Sequence, residues 1–229
     1  PALVGLTHGT GQLLAAQLVK RIAIEYPDVS VCLRDPISES LAKMLNDGRL
    51  DLALCYAPSD DQDLRFKPVG TETLVLTYWK DSVGQDVPEE IQFKDMVHYP
   101  LILPSQKFEY RKLVDGFAEQ AGVELNIVHE VESVQPIRYL IREGLGFSVG
   151  SVGAVKWEVE SGHVGIARIV DPTPVRTLYL AENMSKPSSR AVEVVRDQLV
   201  ALVAEVAHEN PDILSVEGFD LSEDPEQVD

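Results

Sequence analysis

Small polar residues, placed where apolar runs give way to helical patterns, are the groups in this sequence best suited to chemistry. Thr7, His8, Gly9 and Thr10 follow the apolar run Ala2-Leu3-Val4-Gly5-Leu6 and precede a helix. They offer hydroxyls, one titratable ring and backbone N–H groups at the positive end of that helix, which suits a carboxylate or another anion. Ser38 takes the same place before the next helical segment. Thr10 and Ser38 would serve equally well as caps of their own helices, and one side chain can do both.

Patterns that would support catalysis or metal binding are missing. His8, His98, His129, His163 and His208 are scattered, and none forms a pair with the spacing of metal ligands. Gly150-Ser151-Val152-Gly153 lacks the order of a nucleophile elbow, so Ser151 reads at most as a cleft-lining residue. Gly144-Leu145-Gly146 precedes a strand, and Gly9-Thr10-Gly11 lacks both the third glycine and the acid ~20 residues later that dinucleotide binding needs. Glu89 and Glu90 follow Pro88 in a polar stretch and read as solvated surface. No catalytic residue, cofactor or metal is assigned, and binding without transformation is the expectation.

The elements that must hold these residues alternate strand and helix. After the strand at 2–6, Leu14, Leu18, Ile22 and Tyr26 recur every four residues across a helix at 12–26 that Pro27 stops. A strand at 29–33, a helix from Ser38 with Leu41, Met44 and Leu45 inward, and a strand at 50–56 follow, with Gly48 ending the helix. Strands linked by helices imply a parallel sheet with ligands near the carboxyl ends of its strands.

Beyond the polar stretch 58–66 a strand at 72–79 marks a crossing into a second cycle. Its strands are 100–103, 125–131 and 147–149, and its helices are 110–121, ended by Gly122, and 133–143, ended by Gly144. A helix at 152–160 and a strand at 164–169 complete it. A return strand at 177–181 and a long amphipathic helix at 189–209, capped by Ser188 or Ser189, belong to the first cycle again. The expected organisation is lobe I at 1–73 plus 176–209, lobe II at 74–175, and an acidic tail at 210–229. Two crossings would permit hinge closure over a ligand in a cleft between the lobes.

Composition sets the bounds. With 229 residues, 45% hydrophobic and 25% charged, the chain reads as a globular α/β protein, and its longest apolar stretches fall short of the ~20 residues that cross a bilayer. No signal peptide or membrane contact is expected. The net charge of −17 is uneven, and about half of it falls at the end, where Glu205, Glu209, Asp212, Glu217, Asp220, Glu223, Asp224, Glu226 and Asp229 have no Lys or Arg among them. Such a charge repels phosphate backbones, so these residues alone should not bind nucleic acid. Cys32 and Cys55 fall in apolar strands and read as buried free thiols, with a disulfide between neighbouring strands as the alternative, and the low cysteine count favours a reducing compartment, the cytoplasm. The chain begins at Pro1 in place of Met, which reads as a processed protein or a fragment.

Several stretches together resemble the effector-binding domain of LysR-type transcription regulators. They are Val4-Gly5-Leu6 followed by a helix ending at Glu25-Tyr26-Pro27-Asp28-Val29, then 45–54, Leu-Asn-Asp-Gly-Arg-Leu-Asp-Leu-Ala-Leu, and 141–149, Ile-Arg-Glu-Gly-Leu-Gly-Phe-Ser-Val. The resemblance runs from about Leu3 to Ala207. One departure is Gly150-Ser151 where the family often has a proline.

The resemblance implies two Rossmann-like lobes of the type 2 periplasmic-binding-protein kind. It implies effector contacts at Thr7, His8, Gly9, Thr10, Ser38 and Tyr56 in lobe I, and at Pro104, Ser105, Gln106 and Phe108 in lobe II. Ser133, Val134 and Gln135 are further candidates. It also implies a small-molecule effector, self-association as dimer and tetramer through the 12–26 helix and a strand, and DNA binding only through an N-terminal winged helix-turn-helix domain. The alternative reading is a free-standing periplasmic solute-binding protein of the same fold.

Overall fold

The computed structural model describes residues 1–35, 38–84 and 86–221. In chain order its elements are β1 (Ala2–Leu6), α1 (His8–Glu25), β2 (Val31–Arg34), α2 (Ser38–Asn46), β3 (Leu52–Cys55), β4 (Leu64–Trp79), β5 (Glu90–Gln92), β6 (Leu101–Leu103), α3 (Glu109–Ala121), β7 (Ile127–Glu130), α4 (Val134–Arg142), β8 (Ser148–Ser151), α5 (Lys156–Glu160), β9 (Val164–Val170), β10 (Val175–Asn183), α6 (Arg190–Glu209) and β11 (Leu214–Ser215). They form two compact units, Pro1–Glu72 with Thr177–Asp229, and Thr73–Arg176. The chain leaves the first unit along β4 and returns along β10.

In the first unit β1 runs between β2 and β3, parallel to both, with Val4 opposite Leu33 on one side and Leu52 on the other. All four residues of β3 are buried, as expected of a strand covered on both faces. β10 pairs antiparallel to β3. Gly5 is there because of close approach: a Cβ on it would stand 2.8 Å from Leu50 Cδ1. Leu50 begins the path into β3 through Asp51, whose amide donates to the Leu3 carbonyl and whose Oδ2 accepts from the Leu3 amide, both at 2.8 Å.

The helices of this unit are tied as firmly as its strands. α1 buries Leu13, Leu14, Leu18 and Ile22 along one face and packs against α6. Arg21 grips Glu205 of α6 with two hydrogen bonds, 2.9 and 2.6 Å, and that guanidinium holds the Glu205 carboxyl below the usual carboxylate range. α6 starts at Ser189, whose Oγ accepts from the Val192 amide. At the far end of α2, Lys186 Nζ donates to the Leu45 and Asn46 carbonyls, 2.8 and 2.6 Å, and satisfies acceptors the helix leaves unpaired. Glu182, 6% exposed, accepts from Arg65 and from Arg196 Nε, so one buried carboxylate joins β10, β4 and α6.

In the second unit the later part of β4 pairs antiparallel with β8 and β9, and β5 runs parallel to β9. β6 and β7 form a separate parallel pair. Leu74, Leu76, Phe93, Met96, Leu101, Val114, Phe147 and Ile169 make the core. Gly146 is required where the chain passes the β6 backbone, because a Cβ there would lie 2.7 Å from the Pro100 carbonyl oxygen.

Four expectations are corrected. α1 begins at His8, four residues before the periodic pattern, because Gly9, Thr10 and Gly11 accept helical geometry once β1 has delivered the chain. Cys32 is exposed: strand β2 is an edge, and its alternation turns that side chain outward. The segment 152–160 is a 3-10 turn at Gly153–Val155 followed by the short α5, and Ser151 is buried with its Oγ accepting from the Ala154 amide. Beyond Pro211 the chain does not simply leave the fold, since Ile213 and Leu214 are buried and β11 pairs antiparallel with β4.

Two substitutions test this account of the first unit. Asp51→Ala removes the acceptor of the Leu3 amide and should lower unfolding free energy by about 1–3 kcal/mol. Ser189→Ala should lower it by about 1 kcal/mol. Urea unfolding followed by circular dichroism measures both, and an Asp51→Ala midpoint equal to that of the parent would refute the role assigned to the carboxylate.

Candidate functional site

The carboxyl ends of β1 and β2 come together beside the first turn of α1. Thr7 is the N-cap of this 18-residue helix, but its side chain makes no capping bond, and the first turn holds no acidic residue. The first helical bond runs from the Gly11 amide to the Thr7 carbonyl at 2.8 Å. The amides of His8, Gly9 and Thr10 precede that bond and are the N–H groups a helix cannot satisfy internally. Thr7, Gly9 and Thr10 are buried. The Thr10 hydroxyl donates to the Thr7 carbonyl at 2.8 Å and lies 3.2 Å from the Thr7 hydroxyl, so the two threonines brace the turn from inside.

His8 points elsewhere. It lines a depression of about 290 Å³ with Leu6, Gly11, Gln12, Ala15, Leu33, Arg34 and Asp35. His8 Nδ1 stands 3.6 Å from Asp35 Oδ2, and His8 Nε2 lies 3.1 Å from Gln12 Nε2. The walls thus combine a guanidinium, an amide, an imidazole and a carboxylate with a leucine and alanine floor. Such a mixture orients a small polar organic molecule by a few directed contacts over apolar area.

Of the other first-unit candidates, Tyr56 directly follows β3 and is half-buried. Ser38 opens α2, and its side chain lies outside the described residues. Gln12, Arg34 and Asp35 were not singled out from sequence. Arg34 ends β2 and Asp35 follows it directly, so the strand-end rule applied to charged residues as well as to small ones would have found them.

The second unit has its own cluster. Pro104 and Ser105 are half-buried, Gln106 is exposed, and Phe108 is the half-buried N-cap of α3. Ser133 and Val134 are exposed at the start of α4, where Ser133 is the N-cap and makes no capping bond with its side chain. The segments after β6 and β7 meet through residues that carried no sequence signal: Arg111, Lys107 and Glu132. Ser105 Oγ donates to Glu132 Oε1 at 3.2 Å, and Lys107 Nζ reaches the same oxygen at 2.5 Å. The Lys107 hydrogen bond, more than its charge, holds the Glu132 carboxyl below the usual range.

Among the described residues, no group of three or more His, Cys, Asp or Glu side chains could hold a metal ion, and no helix is long and apolar enough to cross a membrane.

The profile of a family described as the LysR substrate binding domain matches residues 3–204. The chain belongs to this family. One relative of this LysR domain is the HTH-type transcriptional regulator BbuR of Bordetella bronchiseptica, 26% identical over 207 residues that cover 90% of the chain and 63% of BbuR. The chain therefore spans about 63% of the length of that relative. Two solved structures share its fold. The effector binding domain of QuiR in complex with shikimate gives a TM-score of 0.74 at 20% identity, covering 87% of this chain and 95% of the other. The regulatory domain of Synechocystis PCC6803 CcmR in complex with 2-PG gives 0.75 at 21% identity, covering 88% and 96%. The fold is the mixed α/β, type 2 periplasmic-binding-protein-like fold of LysR regulatory domains.

The cysteines give a check on the strand ends. Burial pushes the Cys55 thiol, at the end of β3, up to about 11, while Cys32 is exposed. Only a thiolate alkylates readily, so at pH 8 Cys55 stays protonated and inert. Iodoacetamide at that pH should label Cys32 and spare Cys55 by peptide mass spectrometry, and equal labelling would contradict the packing around β3.

Proposed function

We propose that this LysR domain senses a small anionic metabolite, with the first turn of α1 as the principal contact of the first unit. The observation that carries the reading is an 18-residue helix whose N-terminal turn has no side-chain cap bond at Thr7, no acidic residue, and beside it a depression lined by His8, Gln12 and Arg34. Helix N-terminal amides and the helix dipole favour negative charge at that point. Arg34 adds a donor set matched to carboxylate or phosphate. Ser38 and Tyr56 are further contacts in this unit.

In the second unit Pro104, Ser105, Gln106, Phe108, Ser133 and Val134 are the proposed effector contacts, with Phe108 giving apolar area and the hydroxyls giving direction. That two neighbouring domains of this fold are in complex with small molecules, shikimate and 2-PG, supports a small-molecule effector for this chain as well. The ligand acts by binding one arrangement of the protein better than another. That difference sets the geometry of a homo-oligomer, and through it DNA binding by an N-terminal winged helix-turn-helix domain of the whole regulator, in the cytoplasm. The chain performs no chemistry on the ligand. For self-association α1 presents Val19 and Ile24, 46% and 68% exposed, on its outer face.

Native mass spectrometry of the purified chain, followed by thermal unfolding with a panel of small carboxylates and phosphates that includes shikimate, tests the reading. At least one anion should raise the melting temperature with increasing concentration, as mass action requires. His8→Ala and Arg34→Gln should each weaken that anion about tenfold, a loss of one charge-assisted contact. Absence of any co-purified small molecule, together with no stabilisation by the panel, sinks it.

A further inference from the structure

The second unit anchors its loop after β6 at two points of very different strength. Arg111, 5% exposed in α3, donates from Nη1 to the Pro104 carbonyl and to Glu130 Oε1, each at 2.9 Å, and from Nε to Asp115 at 2.8 Å. A buried guanidinium given three acceptors is costly to disturb, so the root of the loop is fixed. At its tip the Ser105 hydroxyl and the Lys107 ammonium converge on Glu132.

A hydroxyl and an ammonium converging on one carboxylate oxygen form the donor set that a carboxylate ligand uses. Resting on the anion-sensing reading above, we infer that Glu132 is a built-in competitor: its carboxylate takes the Ser105 and Lys107 donors that the carboxylate or phosphate of an effector uses, and the effector binds by displacing it. The exchange is feasible because Lys107 and Glu132 are 62% and 54% exposed, and an ion pair that open to water contributes little. One anion replaces another, and the remaining contacts of the ligand decide the balance. Lys107 does not lose its place when Glu132 leaves, since it also sits over the Phe108 ring, 5.3 Å from the centroid.

Held ionised by Lys107, Glu132 competes at neutral pH with the same charge the ligand carries. The arrangement therefore selects by charge. A neutral analogue cannot repay Lys107 for the carboxylate it loses, and an anion can.

The test is a titration of the ¹⁵N-labelled chain with acetate, and with acetamide as the neutral control, read at the amides of residues 105–108. In Glu132→Ala the acetate midpoint should fall about threefold or more below that of the parent, the size expected for removing an exposed charge competitor. Lys107→Met should abolish the response, and acetamide should give none in any variant. Equal midpoints in parent and Glu132→Ala, or silent 105–108 amides in Glu132→Ala, overturn the inference. Both variants change exposed side chains, and an unchanged thermal midpoint verifies that they fold. The amides of Thr7 to Thr10 are followed in the same spectra. If those respond while 105–108 do not, the inference falls and the first-unit reading stands; if 105–108 respond alone, the converse holds.

Discussion

Leu3 gives its carbonyl to the Asp51 amide and takes the Asp51 carboxylate on its own amide, and this reciprocal clamp fixes where β1 lies beside the chain entering β3. Backbone polar groups on a buried central strand must be satisfied in full, so a side chain that supplies an acceptor at the strand entry sets register as well as stability. With β1 in register, Leu6 ends the strand at the point where His8 can start α1. The helix N-terminus, the end of β2 and the depression between them all follow from that placement. Leu50 and Asp51 of the Gly-Arg-Leu-Asp stretch, which served as a family landmark, thus have a structural role. Gly5 shares that role, because it admits Leu50 against β1.

The second unit solves the corresponding problem with charge. Arg111 is buried and would be expensive to leave unpaired, and its three oxygen partners tie the loop after β6, β7 and α3 to one another. On that fixed base Ser105 is half-buried, while Lys107 and Glu132 are exposed and paired with each other. The loop is thus fixed more firmly at its root, by the buried Arg111, than at its tip, where an exposed ion pair contributes little.

Nature of relationship and nature of ligand are different questions here. The family follows from a match over residues 3–204, while identities of 20–21% to the solved neighbours carry the fold and leave the effector to the side chains of this chain. Those side chains are unlike a generic apolar pocket: Arg34, His8, Gln12 and Asp35 in one unit, Lys107, Glu132 and Ser105 in the other. Charge is balanced locally in each cluster, in spite of the strongly acidic chain.

What the sequence determined by itself was the alternation of elements and the class of protein. Period-four apolar residues in α1, the start of α6 at Ser188 or Ser189, the Gly122 and Gly144 stops and the apolar run of β3 are local signals, written in spacing and in residues with special backbone freedom. Position at strand ends was also legible, because parallel sheets place their loops by rule. Only the tertiary structure decided which way side chains turn and which distant ones meet. It made β2 an edge strand and so exposed Cys32, it drew Ile213 and Leu214 back onto the fold, and it aimed His8 away from Thr7 and Thr10. It also joined Lys107 to Glu132 and Arg111 to Glu130. Charged side chains carry no periodicity and find their partners through space, so pairs separated by 19 to 25 residues leave no trace in the chain until the strands and helices between them have packed.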